Sequence, residues 1–383
     1  MTVKSIEAFK YAITTGDIKL FDELAKDFAS YDMELKEEII THSVMFAPNT
    51  DFLKHIIEKY DYDIHFRDKD GLTLLHWAAC SNYPQTVNFF LEKGLDIEDK
   101  AEPYYQTPFL SAAKYSDNPE VLKTLIYAGA NIKAVDVNGE TALISAAGRN
   151  PVLEITKFLL NLGFDPEERD DEGYTALLNA ARWQSNTNII DLLVEAGADT
   201  TVKTYTGDTM FHLAVYNESP VIAGYIQDLF STSQTNDAGE TCLETALLHA
   251  KNPMVVNYYL MKMKNEHMQY ACMNENPEIL EALILAGYNA SATDDDGKTI
   301  MMTAANLNTN PAIIKMLRFY NAVWNNSDNK GRTVLHYAAA NLNPAIYNWM
   351  MEDECFQTLA DCTDKDGNKA EYYLSHKEMC QIK

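Results

Sequence analysis

A nine-residue pattern recurs along this chain at a nearly constant spacing. The pattern, Gly-x-Thr-x-Leu-x-x-Ala-Ala with minor variation, places its threonine at positions 73, 141, 175, 299 and 333, and weaker copies place it at 107, 209 and 241. From 73 to 241 the successive spacings are 34, 34, 34, 34 and 32 residues. A fixed period of this size predicts stacked supersecondary units that contact mainly their neighbours. The length of 383 residues is therefore no guide to the number of globular domains.

Most units open with an Asp-x-x-Gly turn and a short first helix. Asp136 lies three residues before Gly139, a spacing that lets the carboxylate bind nearby amides while glycine takes a positive φ. The threonine that follows can cap the helix. Leu143, Ala146 and Ala147 then form a small-residue face, which predicts close approach of neighbouring first helices.

A second helix follows an Asn-Pro pair. Asparagine suits the N-cap, and proline is tolerated at the first helical position because its missing amide hydrogen would have no partner there. Val121, Leu122, Leu125 and Ile126 give an apolar stripe, and a glycine is expected just past the end of the helix. The Asn-Pro pairs begin at Asn118, Asn252, Asn276, Asn310 and Asn343, and the terminal glycines are Gly129, Gly163, Gly197 and Gly287.

These phrases resemble the Thr-Pro-Leu-His-x-Ala-Ala signature of ankyrin repeats. The resemblance is carried by "DGLTLLHWAA" at 70–79, "TPFLSAA" at 107–113 and "GRTVLHYAAA" at 331–340, and by the endings "YAGANI" and "EAGADT". The signature proline appears only as Pro108, and most copies have about one extra residue at the Asn-Pro turn. The resemblance implies an all-α fold, an α-solenoid of helix-turn-helix repeats with hairpin-like loops, that binds another protein.

The pattern divides the chain into regular and degenerate parts. Between Thr241 and Thr299 the register fits only if Asn265 takes the threonine position, so we expect a change of stacking angle near 258–268. Whether this joint is a hinge or a second functional site stays open. The predicted parts are N-terminal capping helices (1–30), a degenerate repeat (31–66), repeats (67–258), the irregular joint (259–292), repeats (293–360) and a C-terminal cap (361–383).

Composition excludes several classes of protein. A net charge of −25 repels nucleic-acid backbones and favours a partner with a basic surface. The sequence contains no apolar run long enough for a membrane span and no signal-peptide core. Six cysteines without a CxxC pair predict reduced thiols in a cytoplasmic chain. We expect a monomer with no membrane insertion.

Strings that imitate ligand sites are better explained as turns. "DGKT" at 296–299 lacks the first glycine of a phosphate-binding loop, where Ala292 stands. Three Asp-x-Asp-Gly strings imitate calcium loops but lack the carboxylates at loop positions one and twelve. We therefore predict no metal and no cofactor.

Histidines and thiols are the remaining candidates for catalysis. His76, His212 and His336 share one position in the repeat, which predicts a structural role bridging adjacent turns. Cys80 lies four residues after His76, on the same helical face, but no orienting carboxylate is evident. We predict no catalytic residue in the regular repeats.

The variable positions of the turns and first helices are the predicted binding surface. In ankyrin-like arrays they line a concave face, and here they are rich in aromatic and arginine side chains, the types that dominate binding hot spots. Tyr104 and Tyr105 replace the usual turn, whereas Trp77 is equally explained by packing between repeats. The predicted partner-binding residues are Leu72, Trp77, Tyr104, Tyr105, Lys114, Tyr115, Arg149, Tyr174, Arg182, Trp183, Tyr205 and Tyr216.

Two other functions stay open. A stand-alone array rich in Asn, Tyr and Lys is compatible with a secreted effector of a host-associated microbe, delivered into a host cell to bind a host protein. An enzyme could instead place its site in the irregular segments, with His267 or Cys272 as candidate groups. Protein binding is the function that the residues favour.

Overall fold

A computed structural model describes residues 3–229, 234–260, 264 and 267–377. The chain divides into two compact units, Met1–Met210 and Phe211–Lys383, which are described separately below. Within the described residues the regular structure is helical, and extended pairing is confined to isolated antiparallel bridges at the turns, such as Arg67 with Thr73. The predicted all-α repeat solenoid is therefore the fold of this chain.

In the described residues of the first unit, twelve α-helices precede Met210. Those from α5 onward alternate between first and second helices of successive repeats, and α5 packs on α7, α7 on α9, and α9 on α11. The helices are α1 (Val3–Thr15), α2 (Ile18–Leu24), α3 (Met33–Phe46), α4 (Thr50–Lys59), α5 (Leu74–Cys80), α6 (Pro84–Glu92), α7 (Pro108–Tyr115), α8 (Pro119–Tyr127), α9 (Ala142–Arg149), α10 (Leu153–Asn161), α11 (Ala176–Trp183) and α12 (Thr187–Glu195).

The second unit repeats the same alternation with shorter helices near its middle. Helix α13 (Met210–Val215) begins at the boundary between the units. The others are α14 (Pro220–Leu229), α15 (Cys242–His249), α16 (Pro253–Asn257), α17 (Met268–Ala271), α18 (Pro277–Leu285), α19 (Ile300–Leu307), α20 (Pro311–Phe319), α21 (Val334–Ala340), α22 (Pro344–Met351) and α23 (Glu354–Gln357), followed by a 3-10 helix (Ala370–Leu374).

The turns have the predicted construction. The Asp136 carboxylate accepts hydrogen bonds from the amides of Asn138 and Glu140, both at 2.9 Å, and Gly139 takes a φ of +75°. Consecutive tips are also joined by single backbone bonds: the Asp171 amide donates to the Asn138 carbonyl at 2.9 Å. The turn thus fixes both its own shape and its distance from the next turn.

Helix packing follows the predicted faces with one difference. Ala146 and Ala147 are fully buried between neighbouring first helices. In the second helix α8, Val121, Leu122 and Leu125 are buried, but Ile126 is only half-buried. The second helix therefore buries a narrower stripe than its apolar content predicts.

The Asn-Pro caps are confirmed. The Asn310 side-chain oxygen accepts from the Ala312 amide at 3.0 Å, and Pro311 is the first residue of α20. The amide nitrogen of Asn310 has a second use, since it donates to the Glu275 carbonyl of the preceding repeat at 3.0 Å. The cap is thus also a contact between repeats.

A second side-chain amide, two residues earlier, forms a buried ladder that sequence analysis did not anticipate. In the second unit Asn308 donates to the carbonyls of Cys272 and Asn274, at 3.0 and 2.8 Å. In the first unit Gln184 donates in the same way to Ala147 and Asn150. Each such amide satisfies carbonyls at the end of the preceding first helix, which have no partner within that helix.

The end of this ladder is completed by a different residue. The Asn341 side chain donates to Ala305 and Asn308, both at 2.9 Å, and so continues the ladder by one repeat. The Asn341 carbonyl then accepts from the Lys377 ammonium at 2.8 Å. A lysine thus takes the place of the amide that a further repeat would supply.

The predicted joint falls partly outside the described residues. Helix α16 ends at Asn257 and α17 begins at Met268, while residues 261–263, 265 and 266, including the proposed anchor Asn265, are not described. The predicted capping segments likewise extend over residues 1, 2 and 378–383, which are not described. The change of stacking angle stays a prediction. Separately, no helix in the described ranges combines the length and the hydropathy that a membrane crossing requires.

The amide ladder predicts a stability difference between two asparagines of the second unit. Replacing Asn308, which is 2% exposed, by alanine leaves two buried carbonyls without their donor and should lower the free energy of unfolding by about 1–3 kcal/mol. Asn325→Ala at an exposed position should change it by less than about 0.5 kcal/mol. Urea unfolding followed by circular dichroism would measure both, and equal values would contradict the structural role of the ladder.

Candidate functional site

The first unit presents exposed aromatic side chains on its turns and first helices. Tyr104, Tyr105, Tyr115, Trp183 and Tyr205 are each between 44% and 64% exposed. Tyr104, Tyr105 and Tyr205 lie in turns, whereas Tyr115 and Trp183 are the last residues of α7 and α11. This surface, consisting of the turn tips and the C-terminal ends of α7, α9 and α11, is termed the turn-helix face.

A cleft lies at the centre of the turn-helix face. Its volume is about 420 Å³, and its lining includes Tyr104, Lys114, Tyr115, Glu140 and Arg149. The Lys114 ammonium lies 5.3 Å from the centre of the Tyr115 ring. The predicted residues of three successive repeats therefore meet around one concavity.

Beside the cleft, two arginines flank one indole. The Arg149 guanidinium carbon lies 4.0 Å from the centre of the Trp183 ring, and that of Arg182 lies 5.0 Å from it. Arg182 also donates to the Tyr174 hydroxyl at 2.6 Å. Cation-π contacts of this kind stabilise by about 0.5–1 kcal/mol at exposed sites, so they hold Trp183 and Arg149 in defined positions.

Tyr105 occupies a position where the other turns have glycine. Its φ is +53°, in the left-handed region, and the equivalent Gly139 and Gly173 have φ values of +75° and +84°. A side chain with a Cβ is disfavoured in this region by about 1–2 kcal/mol. Retaining tyrosine there at a conformational cost points to a role for the side chain outside the fold.

Some predicted residues are less accessible than expected. Leu72 and Trp77 are half-buried, and the Trp77 indole donates to the Asp68 carboxylate at 3.0 Å. Tyr174 is buried, with 9% of its surface exposed, and supports Arg182 instead of facing solvent. The expectation that Tyr174 is an exposed contact residue is therefore corrected.

Two further aromatic residues belong to the second unit. Tyr216 is half-buried and stacks on His249, with ring centres 5.8 Å apart. Tyr337 is 2% exposed, and its hydroxyl donates to Asp328 at 2.7 Å, so its role is packing. In the second unit, these aromatic side chains of the first helices thus make more contacts within the protein than those of the first unit.

Carboxylates around the cleft are engaged by the protein itself. Glu140 accepts a hydrogen bond from the Ser145 hydroxyl at 2.8 Å, and burial raises the pKa of the Glu140 carboxyl. Burial also raises the pKa of Asp170, whose oxygen accepts from the Tyr174 and Glu172 amides. These acids contribute to turn structure, and Asp70 is the exposed carboxylate of the cleft lining.

The histidines bridge adjacent repeats as predicted. In His76 the Nδ1 atom accepts from the Thr73 amide at 3.2 Å, so Nε2 carries the proton and donates to the Gln106 carbonyl at 2.8 Å. His336 makes the same pair of contacts with Thr333 and Asn368. Burial lowers the pKa of both imidazoles, which favours the neutral form that this bridge requires.

The thiol candidates are placed unfavourably for nucleophilic catalysis. Burial raises the pKa of the Cys80 thiol to about 12, and it also raises the pKa of Cys272. Because the thiolate is the nucleophile, a raised pKa leaves almost none of the reactive form at neutral pH. His267, the other candidate group, accepts from the Lys264 amide through Nδ1 at 2.9 Å. Among the described residues, no three His, Cys, Asp or Glu side chains are grouped to hold a metal ion.

Comparison with known proteins identifies the repeats. The profile of the family described as ankyrin repeats (3 copies) matches residues 9–101, 109–204 and 268–366, which is about three quarters of the chain. The chain is 27% identical over 95 residues to the E3 ubiquitin-protein ligase KEG of Arabidopsis thaliana, covering 25% of this chain and 6% of that protein. It is 30% identical over 90 residues to the human palmitoyltransferase ZDHHC13, covering 24% of this chain and 14% of that protein.

These relatives share only a segment with the chain. A match to the E3 ubiquitin-protein ligase hecd-1 of Caenorhabditis elegans, 31% identical over 87 residues, covers 23% of this chain and 3% of that protein. The chain therefore spans about a seventh or less of the length of these relatives, so the activities in their names do not pass to it with the match.

The histidine bridges predict a pH dependence of stability. An imidazole whose folded pKa is lowered binds fewer protons when folded than when unfolded, so stability is complete above about pH 6.5 and falls as the pH drops toward the folded pKa. We expect His76→Gln/His336→Gln to be less stable at pH 7.5 but to lose less stability between pH 7.5 and 5.5 than the parent. His65→Gln, at an exposed histidine, is the control for the change of residue type. Urea unfolding at several pH values would measure this, and parallel profiles would contradict it.

Proposed function

Because the chain belongs to the ankyrin-repeat family, we propose that it is a non-enzymatic scaffold that binds another protein through the turn-helix face. The observation that carries this proposal is the set of exposed aromatic residues at positions where the fold does not use them. Tyrosine and tryptophan provide large contact areas with little loss of side-chain freedom and are enriched in binding hot spots.

Charge supports a particular kind of partner. The net charge of −25, with acidic residues in the turns, creates a field that accelerates association with a basic protein surface. The partner-binding role of Tyr104, Tyr105, Tyr115, Trp183 and Tyr205 is part of this proposal. A monomer acting in the cytoplasm is the simplest form of this proposal.

The site geometry favours binding over catalysis. The cleft contains two cations and three carboxylates; Asp136 is bound to turn amides, Glu140 is bound to Ser145, and Asp70 is exposed to solvent. Of the thiols considered as nucleophiles, Cys272 is buried and Cys80 is half-buried, and desolvation raises the pKa of both. A surface of fixed aromatic groups without an activated nucleophile or base suits recognition.

The proposal predicts that three side chains carry much of the affinity. Tyr104→Ala/Tyr105→Ala/Trp183→Ala should lower the capture of the partner at least about tenfold, since a hot-spot truncation costs about 2 kcal/mol or more. Quantitative mass spectrometry of proteins retained from a lysate would measure this, with folding checked by circular dichroism. Tyr127→Ala/Phe319→Ala removes two exposed aromatics at the ends of second helices and should retain capture. Equal capture by all three proteins would place the binding surface elsewhere.

Tyr105 allows stability and binding to be separated. Tyr105→Gly relieves the left-handed conformation and should raise the free energy of unfolding by about 0.5–1 kcal/mol while weakening partner capture. Tyr104→Gly removes a neighbouring exposed tyrosine whose φ is negative, so it should not stabilise the fold. Urea unfolding and the same capture assay would test both variants. A stabilised Tyr105→Gly protein with undiminished capture would remove Tyr105 from the binding surface.

A further inference from the structure

Arg149 is an exposed cation without an internal acidic partner. Within the described part of the chain its guanidinium has no ion pair or hydrogen bond, and its central carbon lies over the Trp183 ring, 4.0 Å from the ring centre. By contrast, Arg67 at an earlier turn donates to both Asp99 oxygens, at 2.9 and 2.6 Å. Exposed Arg169 also lacks a carboxylate, but its guanidinium donates to the Gly173 and Lys203 carbonyls, so Arg149 differs in having no hydrogen-bond acceptor among the described residues.

Stacking leaves the hydrogen-bonding edge of the guanidinium available. Contact with an aromatic ring uses the flat face of the group, whereas its N-H donors point outward in the plane of the group. A carboxylate binds this edge through two parallel hydrogen bonds. The Trp183 ring thus holds the Arg149 donors in place before any partner arrives, which reduces the entropy lost on binding.

The surroundings of Arg149 favour a carboxylate over a neutral group. Lys114 lines the same cleft, and Arg182 lies on the same indole, so three positive charges belong to three successive first helices. Glu140, which lines the same cleft, competes weakly with a partner carboxylate for Arg149. Burial raises the pKa of the Glu140 carboxyl, and the Ser145 hydroxyl donates a hydrogen bond to its oxygen. The cleft lining also contains the Asp70, Asp136 and Glu140 carboxylates, so the positive charge is confined to the C-terminal ends of the three first helices.

Helix electrostatics accounts for only part of this arrangement. Lys114, Arg149 and Arg182 each lie in the last turn of a first helix, where the helix dipole favours cations by about 0.3–1 kcal/mol. That effect explains their position along the helices. It does not explain why two arginines from adjacent repeats converge on one exposed tryptophan.

We propose that the Arg149-Trp183-Arg182 stack binds the side-chain carboxylate of an aspartate or glutamate in the partner. This inference rests on the proposed function and refines it. The partner segment carries an acidic residue that lies on the stack, and its basic residues lie near the exposed turn acids such as Asp70. An otherwise basic partner would therefore need one acidic residue at a defined position.

A selection with defined peptides tests the proposal. A library of random dodecapeptides displayed on phage would be selected on the full-length parent and on Arg149→Gln, which removes the charge at an exposed position. Lys157→Gln, at an exposed lysine of α10, is the matched control for the change in net charge. We expect the parent and Lys157→Gln to enrich Asp or Glu at one position of the recovered peptides, and Arg149→Gln to lose that enrichment.

Synthetic peptides then separate the contact from general electrostatics. Replacing the enriched Glu by Gln in a selected peptide should weaken binding to the parent at least about tenfold and binding to Arg149→Gln less than about twofold. Arg149→Lys should give an intermediate loss, because lysine keeps the charge but not the planar pair of donors. Circular dichroism would confirm that each variant is folded.

The outcomes distinguish this inference from the proposed function. Peptides selected on the parent without an acidic position, or with one that survives Arg149→Gln, would overturn the carboxylate assignment and leave the scaffold function intact. Tenfold tighter binding of a phosphoserine in place of the Glu would reassign the stack to a phosphopeptide. Selected peptides that bind Tyr104→Ala/Tyr105→Ala/Trp183→Ala as tightly as the parent would instead contradict the turn-helix face itself.

Discussion

The backbone carbonyls at the ends of the first helices are the constraint on which each unit depends. A short helix leaves its last carbonyls without internal partners, and here those groups are buried between repeats. Asn150 meets this requirement for the preceding repeat by donating to Ala113 and Ser116, and Gln184 then does the same for Asn150. Each repeat is thereby completed by the one that follows it, which couples neighbours through hydrogen bonds as well as through apolar packing. The same coupling keeps successive first helices in register, and the turn-helix face is made of side chains from those helices.

Local chemistry explains why much of this fold could be predicted from the sequence. The Asp136-Gly139 turn, the Asn310-Pro311 cap and the alanine faces each follow from interactions within a few residues, and the repetition of the pattern shows how the units must stack. The histidine bridges were also predictable. A histidine that recurs at the same repeat position, without catalytic partner residues that recur with it, is better explained by a structural contact between repeats. The buried amide ladder was not predicted. Its donors reach carbonyls 24 to 37 residues away, although the phrase Asn-x-Asn-Pro at 274, 308 and 341 carried a signal that could have been used.

The candidate site was predicted less completely, and for a physical reason. Sequence position placed Tyr104, Tyr105 and Trp183 on the exposed side, where the structure also has them. Exposure of a particular ring, however, depends on neighbours from other repeats: Tyr174 is buried because Arg182 and the turn pack around it. The contact of Arg149 with Trp183 joins residues of different repeats that are far apart in the sequence, so no local rule pairs them. The left-handed conformation of Tyr105 could have been expected from its register, since it occupies the glycine position of the turn.

Net charge and local charge act at different distances in this chain. At physiological ionic strength the screening length is about 8 Å, so the −25 total governs the approach of a partner but has little effect on which groups meet at contact. At contact the nearest charges are those of Lys114, Arg149 and Arg182, which lie beside Tyr115 and Trp183. A bound partner would displace water from these side chains and so strengthen short-range electrostatics. A basic partner attracted by the overall field is therefore compatible with an acidic residue bound at the stack. Specificity would arise from that combination. A uniformly basic segment would place its cations against Arg149 and Arg182 with no carboxylate between them, and such like-charge contacts disfavour incorrect partners.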